Sequence, residues 1–171
     1  MERMHGQTLV ELMVCLLIGG LLLTSAVPAL TSTLQRGQQT QAVNQLIGAL
    51  HYARSSAVMG RKTIALCSGE APCNPEQTWR SQLLVFDDVN KNGQLDNGET
   101  LLQQIFLLEG YSWYWSNFRN RTYMQFEADG TTRALNGTFT LCHADSPTMQ
   151  IVINLTGRAR IQAAPGGTSC G

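Results

Sequence analysis

The stretch "GQTLVELMVCLLIGG", residues 6–20, constrains this chain more than any other. It opens a run from Leu12 to Gln35 without one charged side chain. Such a run is long enough to cross a bilayer as a helix. One acid, Glu11, stands at its start, after the short polar segment "MERMHG". A carboxylate in lipid costs a few kcal/mol near the bilayer centre and less near its edge, roughly in line with insertion scales. Such a group normally has a partner, and no basic residue follows within reach on the same helix. A cut after Gly6 would supply one, because Gln7 would then carry a free α-amine. The amine of one subunit can meet Glu11 of a neighbour when helices pack side by side. A buried pair of this kind fixes register better than it adds stability. A signal anchor carrying a stray Glu is the plainer alternative.

The rest of the chain reads as a domain with an appendage. At 171 residues there is room for one domain beyond the apolar segment. Twelve basic and twelve acidic side chains cancel, so polyanion binding would need a local patch. Cys15 sits in the apolar run as a small hydrophobe. Cys67, Cys73, Cys142 and Cys170 lie in the polar remainder, and an even number beyond a membrane points to disulfides. Of three pairings, Cys67–Cys73 would close the loop "CSGEAPC" and Cys142–Cys170 would tie down the tail. No Cys/His spacing matches a zinc site.

Helical spacing persists after Pro28 through Val43, Leu46, Ile47, Leu50, Ala53 and Ala57. One helix from about residue 8 to about residue 59 is expected, kinked at Pro28 and stopped by Gly60. Its second half should lay an apolar stripe on a sheet. Short β-rich segments follow: "KTIALC", "SQLLVFDD", "TLLQQIF", "YSWYW", "TYMQFE", "GTFTLC", "MQIVINLT" and "RARIQA". Strands after a helix, without βαβ alternation, predict an α+β fold with antiparallel sheets.

Two segments carry possible chemistry. From Asp88 the spacing fits a calcium-loop template, with Asp88, Asn90, Asn92, Gly93, Asp96 and Glu99 in place. The flanks read as strands rather than EF-hand helices, so a hairpin loop of Asx and Gly turns competes with a structural Ca²⁺. In "GRARIQ", Arg158 and Arg160 alternate, so a strand would project both from one face. Guanidinium forks suit phosphate oxygens, and a solvated strand edge is the bland alternative. Gly157 would let another backbone approach. Arg119, Arg121 and Arg133 would widen the patch, since five Arg face only Glu127, Asp129 and Asp145 from Arg119 onward. Aromatics at Tyr111, Trp113, Tyr114, Trp115 and Phe118 lie beside "RNR", either as core or as surfaces for stacking bases. His5, His51 and His143 form no catalytic arrangement, and no phosphate loop or dinucleotide fingerprint is present, so a non-enzyme is expected.

The leader "G-QTLVE" resembles the class III leader of type IV pilins and type II secretion pseudopilins. In that family a prepilin peptidase cuts after Gly and the new N-terminus is methylated. Gly6 matches, Glu11 stands fifth and Pro28 twenty-second in the mature chain; Gln7 replaces the usual Phe. "ARSSAVMGRKTIALC", "LLVFDDVNKNGQLDNGE", "GTFTLC" and "LTGRARI" are similar to the FimT/GspH group, and most like its FimT-type minor pilins. The resemblance implies a helical spine packed on two sheets, with other pilins as partners. It divides the chain into a leader (1–6), a transmembrane and assembly half-helix (7–33) and a pilin domain (34–171). The domain would stand in the periplasm, on a single inner-membrane pass, and then in the fibre. FimT-type pilins of transformable bacteria bind DNA through Gly-Arg-x-Arg, which Gly157, Arg158 and Arg160 match. A structural minor pilin, an H-type pseudopilin and a calcium-binding domain on a signal anchor are the rival expectations.

Overall fold

The structure, a computed structural model, describes residues 9–171, and of Ser25 and Ala26 the backbone alone. The expected cleavage and methylation site, Gly6 and Gln7, lies outside the described residues. The chain divides into two compact units, Met1–Gln39 and Thr40–Gly171. Helix α1, Leu9–Gly60, belongs to both and runs through Pro28 without interruption. Among the described residues it is the one helix long and apolar enough to cross a membrane, with a window mean hydropathy of 2.2. Leu16, Leu17, Leu21, Leu22 and Leu23 of its first unit are exposed, as side chains that face lipid or other helices would be.

Within the second unit the helix turns one stripe inward. Ala42, Val43, Leu46, Ala49, Leu50, Ala53 and Ala57 are all buried in the main core. Among the described residues nine strands form two antiparallel sheets. The first has the order β4-β3-β1-β6, from Leu101–Phe106, Gln82–Asp87, Ile64–Ser68 and Met124–Phe126. The second has the order β2-β5-β7-β8-β9, from Thr78–Trp79, Tyr111–Asn117, Gly137–His143, Ser146–Ile153 and Ala159–Ala163.

Strand alternation assigns the first sheet's side chains to two cores. Ile64, Leu66, Leu83 and Val85 enter the main core with the helix. Ala65, Cys67, Leu84 and Phe86 point the other way, into a small cluster with Cys73, capped by Leu95 and Tyr123. Strand β3 is thus buried on both faces, which is why it reads as the unbroken run "QLLVF". In the second sheet Trp113, Trp115, Phe139, Leu141, Ile151 and Ile153 face the helix side. The disulfides are Cys67–Cys73 and Cys142–Cys170. The latter ties the last residues to β7, and Gly171 comes to lie against the Tyr114 ring.

Candidate nucleic-acid interface

The register of the second sheet decides which basic residues meet. Asn117, Gly137, Ile153 and Ala159 form one row across β5, β7, β8 and β9. The next row is Ser116, Thr138, Val152 and Arg160. Arg158 therefore leaves the sheet at the same end as the turn that carries Arg119 and Arg121. Residues 117–126, 134–143 and 147–163 contain no Asp or Glu. At the opposite end, where Tyr111 pairs with His143, a cleft of about 580 Å³ is lined by Glu109 and Asp145 as well as Arg80. The strands at the Arg158 end thus carry no acid of their own, although the loop packed on the turn at residues 155–157 brings Glu127 and Asp129.

A tight turn aims the arginine pair. The Asn154 backbone N–H donates to the Arg158 carbonyl (3.1 Å), and the Gly157 N–H donates to the Asn154 carbonyl (3.0 Å). The Asn154 side-chain oxygen accepts from the Arg158 N–H (2.9 Å) and the Thr156 hydroxyl (2.8 Å). Gly157 has φ +73°, and a Cβ there would lie 2.2 Å from the Gly130 carbonyl oxygen. Only glycine allows this approach, as the sequence led us to expect. Arg54, on the last turns of α1, closes the arrangement. Its Nε donates to the Gly130 carbonyl (3.0 Å) and its Nη2 to the Thr156 carbonyl (3.1 Å). Arg54 is a half-buried pin between two loops.

The arginine heads differ in what holds them. Arg158 and Arg160 are exposed and flank a groove of about 270 Å³, with Val152 and Asn154 opposite. Arg160 donates to Gln162 Oε1 (3.0 Å), a neutral partner that leaves its charge unspent. Among the described residues neither is in an ion pair, and neither is Arg119. Arg121 lies 6.0 Å from the Tyr123 ring centroid. Arg133 is different: its Nη1 sits 3.2 Å from Glu127 Oε1, with Lys91 Nζ 3.0 Å from Oε2. Burial pushes the Glu127 carboxyl up, but hydrogen bonds from Lys91, Arg133 and Thr63 outweigh it and hold it below the usual range. Arg133 is thereby neutralised where it stands. Asp129 is taken up by its own turn, accepting from the Thr131 N–H (2.9 Å) and hydroxyl (2.7 Å).

The Asp88–Glu99 loop is a separate feature. Asp88 is fully buried and accepts hydrogen bonds from the Asn92 N–H (3.1 Å), the Gly93 N–H (2.9 Å) and the Gln125 side chain. Burial pushes its carboxyl up despite these donors. Asn90 and Asn92 both donate to Asp96 Oδ2, and Glu99 accepts from the Val89 and Asp96 N–H groups. The template positions thus come together, but their carboxylates are turned onto N–H donors. Among the described residues no three His, Cys, Asp or Glu gather as a metal cage. Gly93 has φ +76° and lies under the Tyr123 ring, so it serves packing as well as the turn. Calcium binding here stands as a proposal that requires Asn90 and Asn92 to turn their oxygens inward. A rise of the melting midpoint in millimolar Ca²⁺ over EDTA supports it, and an unchanged midpoint removes it.

The family model described as type II transport protein GspH matches residues 42–157, and the prokaryotic N-terminal methylation motif matches residues 1–27. No curated protein matches the chain. Two crystal forms of the type IV minor pilin FimU of Pseudomonas aeruginosa strain PAO1 share the fold. One superposes with a TM-score of 0.55 at 22% identity, covering 79% of this chain and 94% of that one. The other gives 0.53 at 22% identity, covering 76% and 95%. A methylation-motif helix continuing into a two-sheet domain defines a subunit of the type IV pilin class. The chain belongs to the GspH family, whose members are minor pilins and pseudopilins that assemble with others of their kind.

Proposed function

We propose that this chain is a minor pilin that binds DNA without sequence preference, for uptake of DNA from outside the cell. Two exposed guanidiniums, outside any ion pair among the described residues and held by a pinned turn, carry the reading. Guanidinium forks meet phosphate oxygens, and contact with a few phosphates gives weak, salt-sensitive binding. In this reading prepilin peptidase cuts after Gly6, Gln7 becomes the methylated N-terminus, and Glu11 pairs with a neighbouring amine during assembly. Residues 7–33 anchor the chain once in the inner membrane, with residues 34–171 on the periplasmic side. Mass spectrometry of the N-terminus tests the cut: retention of residues 1–6 would leave a signal anchor instead.

DNA binding is tested with the full chain in detergent micelles and labelled duplex DNA across a salt series. Affinity is expected to fall linearly on a log–log plot. The Arg158→Ala/Arg160→Ala double variant should bind more weakly, with a slope shallower by about 2, or about 1 for each phosphate left unneutralised. Unchanged circular dichroism keeps the comparison clean. No binding at low salt, or equal binding by the variant, removes the arginine pair. The chain would then be a structural minor pilin or a secretion pseudopilin.

A further inference from the structure

Strand β5 buries Tyr111, Trp113 and Trp115, yet Phe118, the first residue past its end, is 81% exposed. A phenylalanine this open adds nothing to the core. Its backbone is nevertheless fixed. The Phe118 N–H donates to the Asn136 carbonyl (3.2 Å), and Asn117 brackets the turn by accepting from the Arg121 N–H (2.9 Å) and donating to the Arg121 carbonyl (2.7 Å). Beneath the loop, the Trp79 and Trp115 indoles donate to the carbonyls of Thr122 (2.9 Å) and Tyr123 (3.1 Å). A rigid turn therefore presents one ring beside Arg119 and Arg121, at the sheet end that also carries Arg158 and Arg160.

We infer that Phe118 is a base-stacking platform, and that the nucleic acid this face prefers is single-stranded DNA. The inference rests on the DNA-binding reading above and names the form of its ligand. From β5 to β9 is three strand spacings, about 14 Å. Arginines at both ends of that span hold a backbone in place, while the ring between neighbouring phosphates meets a base. An intact duplex keeps its bases stacked on one another, so a ring at its surface finds no π-face. A single strand offers one at every nucleotide, which makes the contact tolerant of sequence. Charge complementarity admits either form of DNA; the exposed ring selects the unpaired one.

The test compares three probes of equal length on the full chain in micelles: a single strand, a blunt duplex and an abasic strand with the same phosphates. Phe118→Ala should weaken the single strand by roughly 5- to 100-fold, the range of one stacked base, and leave the other two unchanged. Phe118→Trp should restore single-strand affinity, which a purely structural role for the ring would not produce. Equal loss on all three probes, or no loss on the single strand, overturns the inference while the arginine reading stands. Failure of the unaltered chain to bind any probe overturns both.

Discussion

Gly157→Ala is expected to lower the unfolding free energy by about 2–5 kcal/mol, combining the cost of a left-handed alanine with that of overpacking. The methyl would enter at 2.2 Å from the Gly130 carbonyl oxygen and 3.0 Å from Arg54 Nε. The oxygen belongs to backbone and has no room to retreat without releasing the hydrogen bond from Arg54. The turn must therefore move, and Arg158 moves with it, because its N–H and carbonyl are both bonded to Asn154. DNA affinity should fall even at temperatures where circular dichroism still reports a folded domain. Gly166→Ala is the control. Nothing lies within 4 Å of its added Cβ, and it should stay within about 0.5 kcal/mol of the parent. A Gly157→Ala protein that melts at the parent midpoint would mean the turn does not hold Gly157 against Gly130.

That effect is half legible in the sequence. A glycine before alternating arginines implies close backbone approach; the identity of the approaching group, Gly130, is a long-range fact. The stripe from Val43 to Ala57 reveals the helix and its buried face, because helical periodicity is a local signal. Eight strands are readable from β-rich runs between turn residues. Strand β2 is not, since Thr78–Trp79 is too short to show alternation, although Trp79 is fully buried. Arg54 escapes sequence reading for a different reason. Its partners lie 76 and 102 residues away, and a helical wheel shows only that it borders the apolar stripe. Charge count alone puts Arg133 in the basic patch. Counting cannot see that the fold sets it against Glu127. The arginine grouping thus emerges from sheet register, which puts Arg119, Arg121, Arg158 and Arg160 at one end of the sheet.

Phe139→Ala is expected to cost about 3–5 kcal/mol, the range for deleting a buried aromatic side chain. Phe139 stands on β7, between β5 and β8, and is fully buried. Its ring stacks on Trp115 at 4.0 Å and meets Trp79 edge-on at 4.8 Å, with Trp113 at 6.5 Å. Removing it leaves a cavity bordered by three indoles too rigid to fill it. For a domain whose total stability is on the order of 5–15 kcal/mol, that is a large share. Phe139→Leu keeps more of the volume and should cost less. Both are measured by thermal melting followed through tryptophan fluorescence, which reports from the indoles that line the gap. The consequence reaches the surface, because Trp79 and Trp115 are the residues that hold the carbonyls of Thr122 and Tyr123. Loosened indoles release the turn bearing Phe118, Arg119 and Arg121, while Arg54 still pins the turn bearing Arg158. Phe139→Ala should therefore weaken Phe118-dependent binding before it weakens the arginine pair. Equal weakening of both, below the melting transition, would show that the two halves of the arginine-bearing end are not held independently.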